Sequence, residues 1–334
     1  MKKIGFAPFF MQWPVLFAAL LVSSGLCTGN AGAEERTRPF KIGELTSSWG
    51  PTPATVGLRD GLLELGYHEN EQFVIGVRFT QGDLTALPAA ARELVQYGVD
   101  IIFASEDSPA KAAQLATTQI PIVFSVVSDP VGLGLIQSFA RPGGNITGVS
   151  DVRLDLSPKR LEVFHDIVPR LNRVLFLYDA ADADAVAGAK MYREAVHRLG
   201  IELIEKAVRT EEEAQATLAQ ISKDEVEGIL SPRQPSLNIP GFILEATSQR
   251  ALPTMFDAAF AVERSGLASY GPDFYASGRQ AARLVDKILK GANPAEIPVE
   301  VNPKVEFVVN LKVAKALGLT IAPEVLYRAD RIIR

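Results

Sequence analysis

The stretch Thr117–Val149, TTQIPIVFSVVSDPVGLGLIQSFARPGGNITGV, decides the fold. Its apolar run Ile120–Val127 reads as a strand with no polar face, which suits a sheet covered on both sides. Ser128-Asp129-Pro130 closes that strand in a polar turn, and Pro130 restricts Asp129 toward extended geometry. Pro142-Gly143-Gly144 then breaks the chain ahead of Asn145–Val149, where glycine permits tight backbone angles.

Upstream, strands and helices alternate. Lys41-Ile42-Gly43-Glu44-Leu45 is a short strand that ends in Thr46-Ser47-Ser48-Trp49-Gly50. A helix from Thr52 to Leu65 carries Leu58, Leu62 and Leu65 on one face and stops at Gly66. Phe73–Phe79 is the next strand, a helix from Asp83 to Tyr97 leads to strand Val99–Ala104, and helix Pro109–Thr118 leads into Ile120–Val127. This alternation predicts a mostly parallel sheet with helices on both faces.

Downstream, a second series begins. It predicts helix Pro158–Ile167, strand Arg173–Tyr178, helix Ala185–Leu199, strand Ile201–Val208, helix Glu211–Ser222 and strand Val226–Leu230. A helix over 241–250, a short helix Asp257–Arg264 and a strand Leu267–Tyr270 complete it. The tail adds helix Tyr275–Leu289, strand Val305–Val309 and helix Leu311–Leu317. The expected architecture is α/β with two lobes: 38–149 plus 272–298, and 150–271 plus 299–334. Hinge strands are expected near 148–152, 268–272 and 298–304.

Lys2 and Lys3 precede a mostly apolar stretch from Ile4 to Leu26, and Ala31-Gly32-Ala33 supplies a small-x-small cleavage pattern. Residues 1–33 are therefore expected to be a removed signal peptide. Gln12 and Pro14 cut the apolar run below the roughly 20 residues that a membrane span needs. Ser24-Gly25-Leu26-Cys27 fits a lipidation site poorly, and Cys27 is the chain's single cysteine, so the mature chain has none. A disulfide-stapled extracellular module is excluded, and the bacterial periplasm is the expected compartment. Losing Lys2 and Lys3 takes the formal charge from -5 to -7, with no long basic run left, which argues against a nucleic-acid partner.

Further motifs carry a resemblance. They are Arg59-Asp60-Gly61-Leu62-Leu63-Glu64-Leu65-Gly66-Tyr67, Ile120-Pro121-Ile122-Val123-Phe124, Asp129-Pro130-Val131-Gly132 and Arg141-Pro142-Gly143-Gly144-Asn145-Ile146-Thr147-Gly148. Ser269-Tyr270-Gly271-Pro272-Asp273 and Asn310-Leu311-Lys312-Val313-Ala314-Lys315-Ala316-Leu317-Gly318-Leu319 follow in order. Together they resemble the ABC-transporter substrate-binding proteins related to tryptophan- and tyrosine-binding lipoproteins. The resemblance implies a type I periplasmic-binding fold with three crossings between lobes. It also implies capture of a small solute by a monomer and delivery to a membrane permease, without a cofactor. A ligand-binding sensory module that presents the solute to a membrane signalling partner is the alternative.

In open α/β sheets the crevice lies beyond the C-terminal ends of the strands. Ser47, Ser48 and Trp49 follow the first strand and suit a carboxylate at the N-terminus of the next helix; a plain helix cap with Trp49 over the core is the competing role. Ser105 and Glu106 follow the third strand. Glu106 and Asp107 depart from the small, neutral residues of the resembled family; one facing the crevice suits a ligand ammonium, and Asp107 or Ser108 as a plain helix cap is the competing role. Ser125 and Asp129 end the fourth strand, with Asp129 either accepting an amino group or shaping the turn. Asn145, Thr147 and Gly148 enter the first crossing. From the second lobe, Tyr178 offers an aromatic platform or a core-edge ring, next to Asp179, and Arg233 offers a bidentate carboxylate partner or a surface ion pair. Tyr270 and Asp273 flank the second crossing.

Catalytic and metal chemistry find no frame in this pattern. His68, His165 and His197 lie in a turn and on two separate helices without ligand spacing, and no G-x-S-x-G elbow is present. The Gly132-Leu133-Gly134 and Gly143-Gly144 runs lack the phosphate-loop and dinucleotide fingerprints.

Overall fold

A computed structural model describes residues 38–151, 156–222, 224–232 and 236–334. The expected signal peptide and its cleavage site, Cys27 and Arg233 lie outside the described residues.

In the first lobe, β1 (Phe40–Thr46), α1 (Pro53–Glu64), β2 (Phe73–Phe79), α2 (Leu87–Tyr97), β3 (Ile101–Ser105), α3 (Asp107–Ala116), β4 (Ile122–Val127) and β5 (Ile146–Asp151) follow in chain order. The second lobe contains α4 (Ser157–Ile167), β6 (Arg173–Asp179), α5 (Ala183–Leu199), β7 (Glu202–Val208), α6 (Glu211–Gln220), β8 (Gly228–Leu230), α7 (Ile239–Arg250), β9 (Thr254–Phe256), α8 (Ala259–Glu263) and β10 (Ala268–Pro272). The chain then returns through α9 (Phe274–Leu289) and β11 (Glu300–Asn302). It crosses again into β12 (Val305–Asn310), α10 (Leu311–Ala316), α11 (Pro323–Tyr327) and β13 (Arg331–Ile333).

The first sheet has the order β11-β5-β4-β3-β1-β2, with every pairing parallel. The second has the order β13-β12-β10-β9-β8-β6-β7, and β10 against β12 is its antiparallel pair. Side chains alternate between faces, and both faces are buried. In β3 and β4, Ile102, Ala104, Ile122 and Phe124 pack under α2 and α3, while Ile101, Phe103 and Val123 pack under α1 and α9. That double burial explains why Ile120–Val127 has no polar face.

The helix that returns from the second lobe is seated by glycine. A Cβ at Gly57 would overlap the Tyr275 carbonyl, and one at Gly278 would overlap the Ala54 carbonyl. Bare backbone on both helices lets α1 and α9 touch along their N-terminal halves. The second and third crossings are also laced together, because the Asn302 amide donates to Asp273 O at 2.9 Å and to Ser277 Oγ at 2.8 Å.

Three boundaries differ from the sequence expectation. Ser150 and Asp151 complete β5, and Glu300–Asn302 pair with Val149–Asp151 in the first sheet, although 150–151 and 299–302 were assigned to the second lobe. Pro272 likewise ends β10 in the second sheet. A three-residue strand carries too little periodicity to be read, and β11 forms because it covers the edge of β5. β9, α11 and β13 escaped the sequence for the same reason.

Candidate functional site

A cleft of about 280 Å³ opens between the lobes. From the first lobe it is lined by residues 48–54 after β1, by Ser105 and Glu106 after β3, and by Val126. From the second it is lined by the start of α7 (Asn238, Pro240, Gly241, Leu244) and by Phe256, Asp257, Ala258, Phe260 and Arg264 around β9 and α8. Phe274, the first residue of α9, stands at the crossing.

The two walls differ in chemistry. The first-lobe floor is polar. Ser47 Oγ donates to Glu106 Oε2 at 2.6 Å. Beneath it, Glu44 is fully buried and accepts from Thr55 Oγ1 at 2.5 Å, from Ser105 Oγ at 3.2 Å and from Thr52 Oγ1 at 3.3 Å. Burial pushes the Glu44 carboxyl up to about 7, the hydroxyls oppose that rise, and the nearby Glu106 charge adds to it. The remaining wall is aromatic, from Trp49, Phe256, Phe260 and Phe274, with Trp49 48% and Phe260 40% exposed.

Backbone strain concentrates at this floor. Glu106 has φ 84 and Val126 has φ 63, both in the left-handed region that L side chains avoid. Val126 sits at a bulge where the β4–β5 register shifts between Ser125 and Val127. For a β-branched residue this costs on the order of 1–3 kcal/mol and persists because the surrounding strands over-determine it.

The family described as "ABC transporter substrate binding protein" matches residues 50–333. The chain belongs to this family. It is a family of solute-binding proteins rather than enzymes, and partnership with an ABC permease and a periplasmic location are typical of it. A curated relative, the tyrosine-binding protein of Clostridioides difficile (strain R20291), is 26% identical over 268 residues, 80% of this chain and 76% of that protein. The structure of an ABC domain from Streptococcus pneumoniae in complex with L-Trp superposes with TM-score 0.77 at 27% identity, covering 88% of this chain and all of that one. A conserved domain protein from Vibrio cholerae gives TM-score 0.76 at 28% identity, with 88% and 100% covered.

In this substrate-binding protein, Ser48, Trp49, Ser105 and Glu106 reach the cleft, and Ser47 reaches it through Glu106. The carboxylate expected at the N-terminus of α1 is supplied by the protein itself. Thr52 caps that helix, and the Thr52 and Thr55 hydroxyls turn to Glu44.

The other expected residues stand elsewhere. Asp129 is exposed and accepts from Gly132 N at 2.8 Å, which makes it the turn-shaping residue. Asn145 lies at the opposite end of β5, its amide donating to Ile120 O at 2.6 Å and Thr117 O at 3.2 Å. Thr147 donates to Ile297 O at 2.8 Å, and Gly148 admits the Phe124 ring. Tyr178 is a core-edge ring stacked on Phe176 at 5.1 Å, and Asp179 accepts from Ala181 N. Tyr270 packs edge-on against Phe307, its carbonyl accepting from Arg160 Nε at 2.7 Å. Asp273 caps α9 by accepting from Ala276 N at 2.8 Å. Ser125 is buried below the lining.

Sequence reading missed Glu44, Phe256, Asp257, Phe260, Arg264 and Phe274. For Glu44 a signal existed, since a carboxylate inside a strand with two buried faces needs partners. For Phe256 and Asp257 it did not, because β9 is three residues long.

Proposed function

We propose that this protein is the solute receptor of an ABC importer and that its solute is an aromatic amino acid or a closely related aromatic compound bearing an ammonium group. The observation that carries this reading is one cleft lined by four aromatic rings together with Glu106, Asp257 and Arg264. The tyrosine-binding relative and the L-Trp complex support the same class.

Both lobes contribute charged groups to the cleft. Glu106 on the first lobe faces a ligand ammonium, with Asp257, buried on the second, as a further acidic group. Arg264 and the start of α7, where Asn238 makes no side-chain cap bond, suit a carboxylate through the guanidinium and the positive end of the helix dipole. A zwitterion then draws the two lobes together, so the ligand binds the closed form better than the open one and shifts the population toward closure. The volume falls just under the roughly 300–1,000 Å³ of drug-sized pockets, which suits an amino-acid-sized solute.

Magnitudes explain why both kinds of group are needed. Burying a ring of about 200 Å² at about 25 cal/mol/Å² contributes roughly 5 kcal/mol. Association costs at least about 4 kcal/mol in lost freedom, so the ring alone leaves little net affinity and the charged ends must supply the rest.

Calorimetry on protein unfolded and refolded to strip carried solute tests the reading. L-tryptophan, L-tyrosine and L-phenylalanine are expected to bind saturably, with L-leucine, L-glutamate and glucose far weaker. Preference for leucine or for a sugar rejects it.

A further inference from the structure

The floor of the cleft holds more acid than a neutral solute needs. Glu44 and Glu106 lie on neighbouring segments, β1 and the loop after β3, and the Glu106 charge adds to the rise that burial imposes on the Glu44 carboxyl. Among the described residues, the groups turned toward Glu44 are hydroxyls: Thr52 and Thr55 from α1 and Ser105 from β3. The register partners of Glu44 on β2 and β3 are Val77 and Phe103, both apolar. Asp107 opens α3 next along the chain and is acidic too, while Arg279 of α9 is bound at the outer surface by Glu64.

An independent observation marks the same place. Ser125 is fully buried, and its Oγ has no hydrogen-bond partner among the described residues. Its register partner on the adjacent parallel strand is Ser105, so its side chain stands on the sheet face that carries Ser105 and Glu44. Buried hydroxyls are normally satisfied, and this one shares its sheet face with the polar patch.

We propose that Glu44 and Glu106 make the cleft floor a cation subsite that receives the ligand's ammonium group, and that Glu44 gives up its proton as the subsite fills. Glu106 is the contacting residue. Glu44 is a positioning and charge-tuning residue beneath it, acting through Ser105 and Thr52. The proposal rests on the ligand class proposed above.

The proton balance follows from the charges. With its carboxyl near 7 in the free protein, Glu44 is largely protonated at pH 5.5. An ammonium a few ångströms away favours the ionised form, so the carboxyl falls on binding and a proton passes to solvent. Affinity therefore rises as pH climbs toward about 7 and levels off above it. A carboxylate placed on the same floor reverses the sign.

Calorimetry on the full chain tests this with three probes: L-tryptophan, tryptamine (ammonium without carboxylate) and indole-3-propionate (carboxylate without ammonium). L-tryptophan and tryptamine are expected to bind about tenfold tighter at pH 7.5 than at pH 5.5. Proton release, read from buffers of different ionisation enthalpy, accompanies binding at pH 6. Glu44→Gln is expected to abolish both the pH dependence and the release while still binding, and Glu106→Gln to weaken tryptamine more than tenfold. The wild-type proton count stands as evidence even if Glu44→Gln fails to fold.

Binding of indole-3-propionate without tryptamine overturns the cation subsite and leaves the receptor reading standing. A pH-independent wild type, or a Glu44→Gln variant with unchanged proton release, overturns the role of Glu44. Failure of all three probes at every pH rejects the ligand class, and the inference falls with it.

Discussion

The two walls of the cleft are built by similar sheets and yet carry opposite chemistry. On the first lobe, loops after β1 and β3 turn hydroxyls and carboxylates onto a floor whose strands are five to seven residues long. On the second, the short strand β9 and the helix α8 deliver Phe256 and Phe260, and Phe256 is also part of the lobe's core. The first wall is therefore an electrostatic device resting on rigid strands, and the second is an exposed edge of hydrophobic packing. Changes to the first should move specificity and pH dependence, and changes to the second should move stability.

Phe256→Ala presses this contrast hardest. The ring is 1% exposed and packs in the second-lobe core, so truncation is expected to cost about 3–5 kcal/mol in urea unfolding. A loss below about 1 kcal/mol would break the claim that wall and core are one.

Glu44→Gln is the matching test on the first lobe. Its carboxyl is raised from 4.5 to about 7 in the folded chain, so the folded state holds the proton more tightly. The stability this provides is fully present below 4.5 and is lost as pH rises through about 7. That shift corresponds to a few kcal/mol at most, on the order of 3. Denaturation of the wild type is expected to show the decline between pH 4.5 and 7, and the variant a flatter profile. Parallel profiles would place the strain elsewhere.

Trp49→Ala separates binding from folding. The ring is half exposed, so stability should change by less than about 1 kcal/mol, while affinity for L-tryptophan falls about 10- to 100-fold. The smallest effect belongs to Asp129→Ala, which removes a turn acceptor far from the ligand. About 0.5–1 kcal/mol of stability and no change in dissociation constant are expected. A tenfold loss of affinity there would restore Asp129 to the site.

Legibility followed element length. The strands from Phe73 to Phe79 and from Arg173 onward, and the helices ending near Ile167, Leu199 and Leu289, were readable because several turns or alternations repeat a pattern. β9, β11 and β13, with three residues each, repeat nothing. At the site, Ser48, Trp49, Ser105 and Glu106 were readable because the C-terminal ends of well-read strands have one place to go. Asn145, Thr147 and Gly148 do not line the cleft, since a crossing strand has two ends and sequence does not say which one faces it.

By itself, then, the sequence determined the two-lobed α/β plan, the family and the first-lobe rim, since hydrophobic periodicity and local turn chemistry are written along the chain. The tertiary structure decided which charges share a burial site. Glu44 meets Thr55 eleven residues away and Ser105 sixty-one residues away, and Phe256 lines the same cleft as Trp49 from the other lobe. Burial and the field of neighbours are properties of three-dimensional proximity, so the raised carboxyl and the aromatic wall exist only once the chain has folded.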